Sequence, residues 1–263
     1  SEMNILVCIK FVPDLDDAAL PVVPSDAPGA WHWEAAAGRI NRYDEYALEA
    51  SLQLKARGSA SRIEALTVGA DRAQEALRRA LGMGVDHGVH IRRPDRGFPS
   101  PFTIGGLIAA YAKARDCDLI LCGAMSEDLM QGQVGPVVAG LLDRPCLTSV
   151  HALDGRTAGR GRLRCEREAQ GGRHETLEID LPAVVTVQSG GVPPRYPALS
   201  KMLRANRYPL EVVAAEALPA TEARQRVVAA GAAPQKRQVQ FLDGSLSEKA
   251  CRLAALLRAR GRI

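Results

Sequence analysis

The chain has 263 residues, 46% hydrophobic, 24% charged and 4% aromatic, with a formal net charge of +4. That length suits one large or two small domains with a sizeable core, and a normal apolar fraction with charge of both signs excludes a disordered chain. No apolar run reaches the ~18–20 residues of a membrane span, and a mixed surface with few aromatics argues against nucleic-acid binding.

The first ten residues carry no basic n-region and no small-residue cleavage site, so the expectation is a soluble, unexported, cytoplasmic protein. Asn4-Ile-Leu-Val-Cys-Ile-Lys10 is a continuous apolar run, of the kind buried on both faces of a parallel sheet. Residues 13–30, with four prolines and several aspartates, read as an extended excursion or short hairpin. Asn41 then caps a helix whose first turn holds Asp44 and Glu45, with Tyr43, Ala47, Ala50 and Leu54 on one stripe. Residues 62–68 are a strand. Asp71 opens a second helix with Ala73, Ala76, Leu77, Ala80 and Leu81 on one face, ended by Gly82 and Gly84.

A strand over 88–92, a helix marked by Ile104, Leu107, Ile108 and Tyr111, and a buried strand over 118–123 follow. A helix over 135–142 carries Pro136 in its first turn. This alternation predicts an α/β fold with a doubly wound, mostly parallel sheet. From 147 the period changes to strands over 147–153, 162–168, 174–180 and 183–188, with Gly171 and Gly172 in a turn. These four are expected to form an antiparallel extension at one edge. Residues 189–210 hold four prolines and a short apolar helix, 214–240 read as an alanine-rich linker, and 247–260 as a helix with Leu253, Leu256 and Leu257 on one stripe. The organisation predicted is a nucleotide-binding domain over 1–190, a docking loop over 191–210 and a C-terminal linker and helix over 211–263.

The motif search excludes much chemistry. There is no G-x-G-x-x-G, no G-x-x-x-x-G-K-[ST], no H-E-x-x-H and no G-x-S-x-G. The six scattered cysteines form no C-x-x-C and read as reduced small hydrophobes. The five histidines form no i, i+4 pair, and His87 and His90 read as solvated residues near a strand edge, so no metal site is expected. No nucleophile–base arrangement is visible, so no catalytic residues are assigned. In an open parallel sheet, ligands sit beyond the carboxyl ends of the strands. Residues 8–10, 68–71 and 123–135 occupy such positions. Gln131-Gly-Gln-Val-Gly-Pro136 leads into a helix, so amides near Gly135 either cradle a phosphate or make a purely structural turn.

Several segments together resemble one family, the beta subunits of electron transfer flavoproteins. They are Ile5-Leu-Val-Cys-Ile-Lys-Phe-Val-Pro13, Asn41-Arg-Tyr-Asp-Glu-Tyr-Ala-Leu-Glu49, Ala73-Gln-Glu-Ala-Leu-Arg-Arg-Ala-Leu-Gly-Met-Gly84, Leu181-Pro-Ala-Val-Val-Thr-Val187 and Pro194-Arg-Tyr-Pro-Ala-Leu199. The resemblance implies pairing with an alpha subunit that holds most of an FAD, and electron transfer from a flavin dehydrogenase, such as an acyl-CoA dehydrogenase, to a quinone-linked or other acceptor. It also implies a second nucleotide in this subunit, AMP or, in electron-bifurcating members, a second FAD.

Carried over by position, the ligand residues are Cys8, Asn41, Arg42, Tyr43, Asp44, Val68, Gly123, Asp128, Gln131, Gly132, Gln133, Val134 and Gly135. The docking residues are Tyr196, Leu199, Lys201, Met202 and Arg204. Arg42 replaces a usual proline and brings a charge that could meet a phosphate. Leu129 and Met130 replace a glycine and an acidic residue in the nucleotide loop. Val134 and Pro136 are similar to the second-FAD class. A reading of another class is an adenine-nucleotide hydrolase or a nucleotide sensor without redox partners; the missing P-loop lysine argues against the hydrolase.

Overall fold

The computed structural model describes residues 2–14, 23–24, 31–32, 37–94, 100–225, 228, 239 and 241–262. Most of the excursion predicted over 13–30 lies outside these residues. The elements in order are β1 (Met3–Cys8), β2 (Phe11–Pro13), β3 (Val23–Pro24), β4 (Trp31–His32), β5 (Gly38–Ile40), α1 (Arg42–Ala56), β6 (Ala60–Gly69), α2 (Gln74–Met83) and β7 (His87–Arg92). After these come α3 (Pro101–Lys113), β8 (Leu119–Gly123), α4 (Val134–Leu142), β9 (Cys146–Asp154), β10 (Arg162–Ala169), β11 (Arg173–Asp180), β12 (Ala183–Val187), α5 (Leu199–Ala205), β13 (Glu211–Ala214) and α6 (Leu246–Ala259).

Nine strands form one sheet in the order β11-β10-β9-β12-β8-β1-β6-β7-β13. From β9 to β13 every pairing is parallel, whereas β9–β10 and β10–β11 are antiparallel. The apolar runs read from sequence serve both faces, because strand side chains alternate. Ile5, Val7, Leu119, Leu121 and Val185 pack with Leu48, Leu52, Leu77 and Ala80 of α1 and α2. Leu6, Ile120 and Val184 pack with Leu107, Ile108 and Val138 of α3 and α4. The chain runs outward from β1 through β6 and β7, then returns to place β8 on the other side of β1. A crevice therefore opens at the carboxyl ends of β6, β1 and β8, the switch point where such sheets bind ligands.

Several expectations are corrected. β12 is not part of the antiparallel extension: it is a fully buried parallel strand between β8 and β9. Its uninterrupted Ala-Val-Val-Thr-Val run suits burial on two faces, whereas β10 alternates buried and exposed residues as a strand with one solvated face does. β13 lies at the start of the segment read as a linker and adds a parallel edge strand beside β7. Four residues are too few for periodicity to reveal. The buried side of α1 is Ala47, Leu48, Ser51, Leu52 and Leu54, with Asp44 and Glu49 also buried; Tyr43 and Ala50 are only half-buried. α2 is preceded by a 3-10 turn over Asp71–Ala73, contains Gly82, and ends at Gly84 with φ 123°. His90 is fully buried, with Nε2 2.9 Å from the Gly69 carbonyl and Nδ1 3.3 Å from Gln74 Nε2.

The chain divides into two compact units, residues 1–230 and 231–263. In the second, α6 opens with a reciprocal cap in which Ser245 Oγ accepts the Glu248 N–H and Glu248 accepts the Ser245 N–H. No described helix is long and apolar enough to cross a membrane. The described cysteines are free thiols; Cys8, Cys117, Cys122 and Cys165 are buried and Cys146 and Cys251 exposed.

Candidate functional site

A cleft open to solvent, with about 800 Å³ of empty space when the open solvent at its mouth is included, lies at the switch point. Its floor is the ends of the strands: Cys8 from β1, Leu66 and Val68 from β6, and Cys122 and Gly123 from β8. Hydrogen bonding to the Cys122 thiol, with burial, holds the Cys8 thiol well above its ordinary range. It is therefore a small neutral surface. Ile104 and Ile108 of α3 make an apolar wall, and Lys10, Asn41, Ser126, Leu129 and Gln131 make a mixed rim. Val134, the first residue of α4, closes one end.

Two side chains at the start of α1 hold this geometry. Asn41 occupies the cap position, but its side chain does not cap the helix. Its amide instead donates to the Met125 carbonyl at 2.8 Å and accepts the Glu127 N–H at 3.0 Å. The loop beyond β8 is thereby fixed to the helix start. Asp44 accepts the Lys10 N–H at 2.7 Å and the Gly123 N–H at 2.9 Å, tying together the ends of β1 and β8. Burial pushes the Asp44 carboxyl up to about 7, against those two amides, Asn41 and the Lys10 charge, which lower it. The approach is so close that a Cβ on Gly123 would stand 2.3 Å from Asp44 Oδ1, so only glycine serves there.

The loop over 124–133 has further ties. Glu127 pairs with Arg39 at 2.5 Å and accepts the Arg42 N–H at 2.8 Å. Lys10 Nζ reaches both oxygens of Asp128, at 2.7 and 2.6 Å. Met130, at φ 52°, points to solvent.

Of the residues assigned from sequence, the structure brings Cys8, Asn41, Asp44, Val68, Gly123, Gln131, Gly132 and Val134 together around the cleft. Others stand apart from its lining. Arg42 is exposed and contributes its backbone to Glu127. Tyr43 packs its Cβ toward Gly123 from the side. Asp128 meets the cleft through Lys10. Gln133 faces an apolar groove between α3 and α4 and accepts from Gln225 at 3.0 Å. Gly135 is buried against Thr186. Sequence reasoning missed Lys10, Leu66, Ile104, Ile108, Cys122, Met125, Ser126 and Leu129. Lys10 stood in a flagged strand end, whereas the α3 residues meet the site only through tertiary packing.

The second predicted surface is the segment around α5. Tyr196, Leu199 and Leu203 are 87%, 76% and 59% exposed, an unusual concentration of large apolar side chains in water. Lys201 and Arg204 are exposed beside them. Met202 differs from expectation: it turns inward against α2, where a Cβ on Gly82 would lie 2.3 Å from its Sδ. Every third or fourth residue of even a short helix must face what it packs on. The segment is anchored by an ion pair that sequence gave no sign of. Arg195 donates to Glu49 at 2.8, 2.8 and 3.1 Å, while Glu49 is 3% exposed. Burial would raise the Glu49 carboxyl, but the Arg195 and Gln53 hydrogen bonds hold it below its ordinary value. Arg78 also donates to the carbonyls of Ala205, at 2.7 Å, and Tyr208. The Arg79 guanidinium lies 5.3 Å above the Tyr196 ring.

The cleft combines an apolar interior with polar groups at its mouth. Apolar strand and α3 side chains suit a flat base, and polar groups at the mouth suit a ribose and phosphate. Among the described residues no cluster of three or more His, Cys, Asp or Glu suits a metal.

Comparison with known proteins identifies the family. The family model described as electron transfer flavoprotein domain matches residues 32–218. The chain is 36% identical over 268 residues to the electron transfer flavoprotein subunit beta of Bacillus subtilis (strain 168), covering 99% of this chain and 100% of that one. It is 35% identical over 178 residues to the subunit of that name in Syntrophomonas wolfei, covering 68% of each. A family-model match over most of the chain and 36% identity along nearly its whole length show that this chain belongs to the electron transfer flavoprotein family, as a beta subunit.

Proposed function

We propose that this chain is the beta half of a heterodimeric electron carrier, working with an alpha subunit that mainly holds the redox FAD, and that its own cleft binds an adenine nucleotide. The observation that carries the reading is the apolar cleft at the switch point, with its mouth organised by Asn41, Asp44 and Lys10. The flavin supplies the electron chemistry when bound. This chain's residues bind, orient and exclude water, and none is given a catalytic role. Around the cleft, Cys8, Val68, Ile104 and Ile108 would contact the base, and the amides before α4 would face the phosphate.

The exposed Tyr196, Leu199 and Leu203, flanked by Lys201 and Arg204, are proposed as the docking site for a flavin dehydrogenase, such as an acyl-CoA dehydrogenase. A small apolar anchor with a charged rim suits a transient complex. Residues 215–263, beyond β13, are proposed to pack on the alpha subunit, which would cover the Leu253, Leu256 and Leu257 stripe of α6. The compartment proposed is the cytoplasm.

A second reading, a second FAD and electron bifurcation, is favoured by one observation. Gly132 borders both the cleft and an apolar groove lined by Phe102, Pro136, Val137 and Leu141, so the two hollows adjoin at this residue, where a ligand longer than AMP would have to pass. The test is to purify the chain with its native partner, denature the complex and quantify the released nucleotides by chromatography. One FAD with AMP supports the simple carrier, and two FAD support bifurcation. No flavin and no partner overturns the carrier reading.

A further inference from the structure

We infer that Asp128 is an internal stand-in for the anionic group of the ligand, holding Lys10 until a nucleotide phosphate takes its place. The inference rests on the adenine-nucleotide reading of the cleft and adds how that site is regulated. Among the described residues that line the cleft, Lys10 is the only lysine or arginine. Its ammonium is already engaged, with Asp128 oxygens at 2.6 and 2.7 Å. The pair is partly shielded, the two side chains being 37% and 16% exposed, so the attraction is stronger than for a fully solvated pair. Asp44, the carboxyl on the cleft floor, is occupied by two backbone amides. Arg39 is tied to Glu127. An entering phosphate therefore meets a neutralised rim, and gains the Lys10 charge only by displacing Asp128.

Such an exchange reaches the wall of the cleft. Asp128 Oδ1 also accepts the Leu129 N–H at 2.8 Å, and Leu129 lines the cleft. The preceding part of the loop is held at Met125 and Glu127 by Asn41. Release of Asp128 thus acts on residues 128–131, between that clamp and the Ser126–Gln131 bridge. Phosphate binding and the position of this loop become linked, because the ligand binds one arrangement better than the other.

The test is calorimetric titration of the full chain with adenosine and with AMP, in parallel. In the native chain the phosphate gains only what the amides before α4 offer, since the Lys10 ammonium is held by a carboxylate. Asp128→Asn is expected to tighten AMP about ten-fold and leave adenosine unchanged, the size of one charge-assisted contact. The double variant Lys10→Met with Asp128→Asn is expected to lose that gain. An equal effect on both ligands, or none, overturns the inference. Hydrogen exchange on the native chain needs no substitution: AMP, but not adenosine, should speed exchange at the Leu129 amide. Equal protection by both ligands overturns the inference. If the chain binds neither adenosine nor AMP, the nucleotide reading itself falls, an outcome distinct from binding without an Asp128 effect.

Discussion

At the cleft, the buried polar side chains Asn41 and Asp44 each bind backbone groups far from themselves in sequence, and the apolar residues they organise face a hollow. Around α5 the arrangement is reversed. The apolar residues Tyr196, Leu199 and Leu203 face water, and the buried polar group, Glu49, lies underneath as an anchor. A concave site needs its walls held at fixed separation, which directional bonds to backbone achieve. The segment around α5, proposed as a docking surface, needs only to be presented, and one bidentate ion pair with a close helix contact at Gly82 does that.

The largest expected effect lies at the cleft. Asp44→Ala leaves the Lys10 and Gly123 N–H groups without their acceptor, and urea unfolding should show a loss of about 3 kcal/mol with weakened nucleotide binding. A loss under about 1 kcal/mol would mean that water replaces the carboxylate and that the strand ends need no staple.

Asp44 also makes the cleft side pH-sensitive. Its folded-state value near 7 is raised above the ordinary ~3.9, so between those values the folded chain binds more protons than the unfolded one. Its contribution to stability therefore falls as pH rises from about 4 to 7, and is level above. Asp44→Asn should flatten that part of a stability–pH curve; an unchanged curve would assign the slope to other groups.

Glu49→Gln tests the anchor under α5, with an expected loss of about 2 kcal/mol by denaturant titration. The sign with pH is opposite to that at Asp44. A lowered carboxyl gives its stabilisation in full above its ordinary value of ~4.3 and loses it as pH falls through the lower folded-state value. If the variant melts like the native chain but α5 becomes protease-sensitive, the anchor serves presentation alone.

The smallest effect on stability is expected at Leu199. Leu199→Ala should leave unfolding within about 0.5 kcal/mol, while slowing reduction by the partner dehydrogenase about five-fold or more. An unchanged rate would move the docking site off this segment.

Much of the site was legible because strand ends and loops before helices are marked in the sequence by apolar runs and glycines. Cys8, Val68, Gly123 and Val134, which line the cleft, were marked that way, together with the family motifs. Arg42 and Gln133 do not line the cleft, because position in a motif does not set the direction of a side chain. His90 was misread as solvated, since one histidine in a short strand shows nothing of the helix that covers it.

By itself, the sequence determined the alternation of strands and helices, the doubly wound class and the family, because each rests on local periodicity or on contiguous motifs. Tertiary structure alone decided that β12 lies inside the sheet, that β13 joins its edge, that Lys10 meets Asp128, and that Glu49 holds Arg195 across 146 positions of chain. Those contacts depend on which segments the fold brings side by side, and no local pattern of residues encodes that partnership.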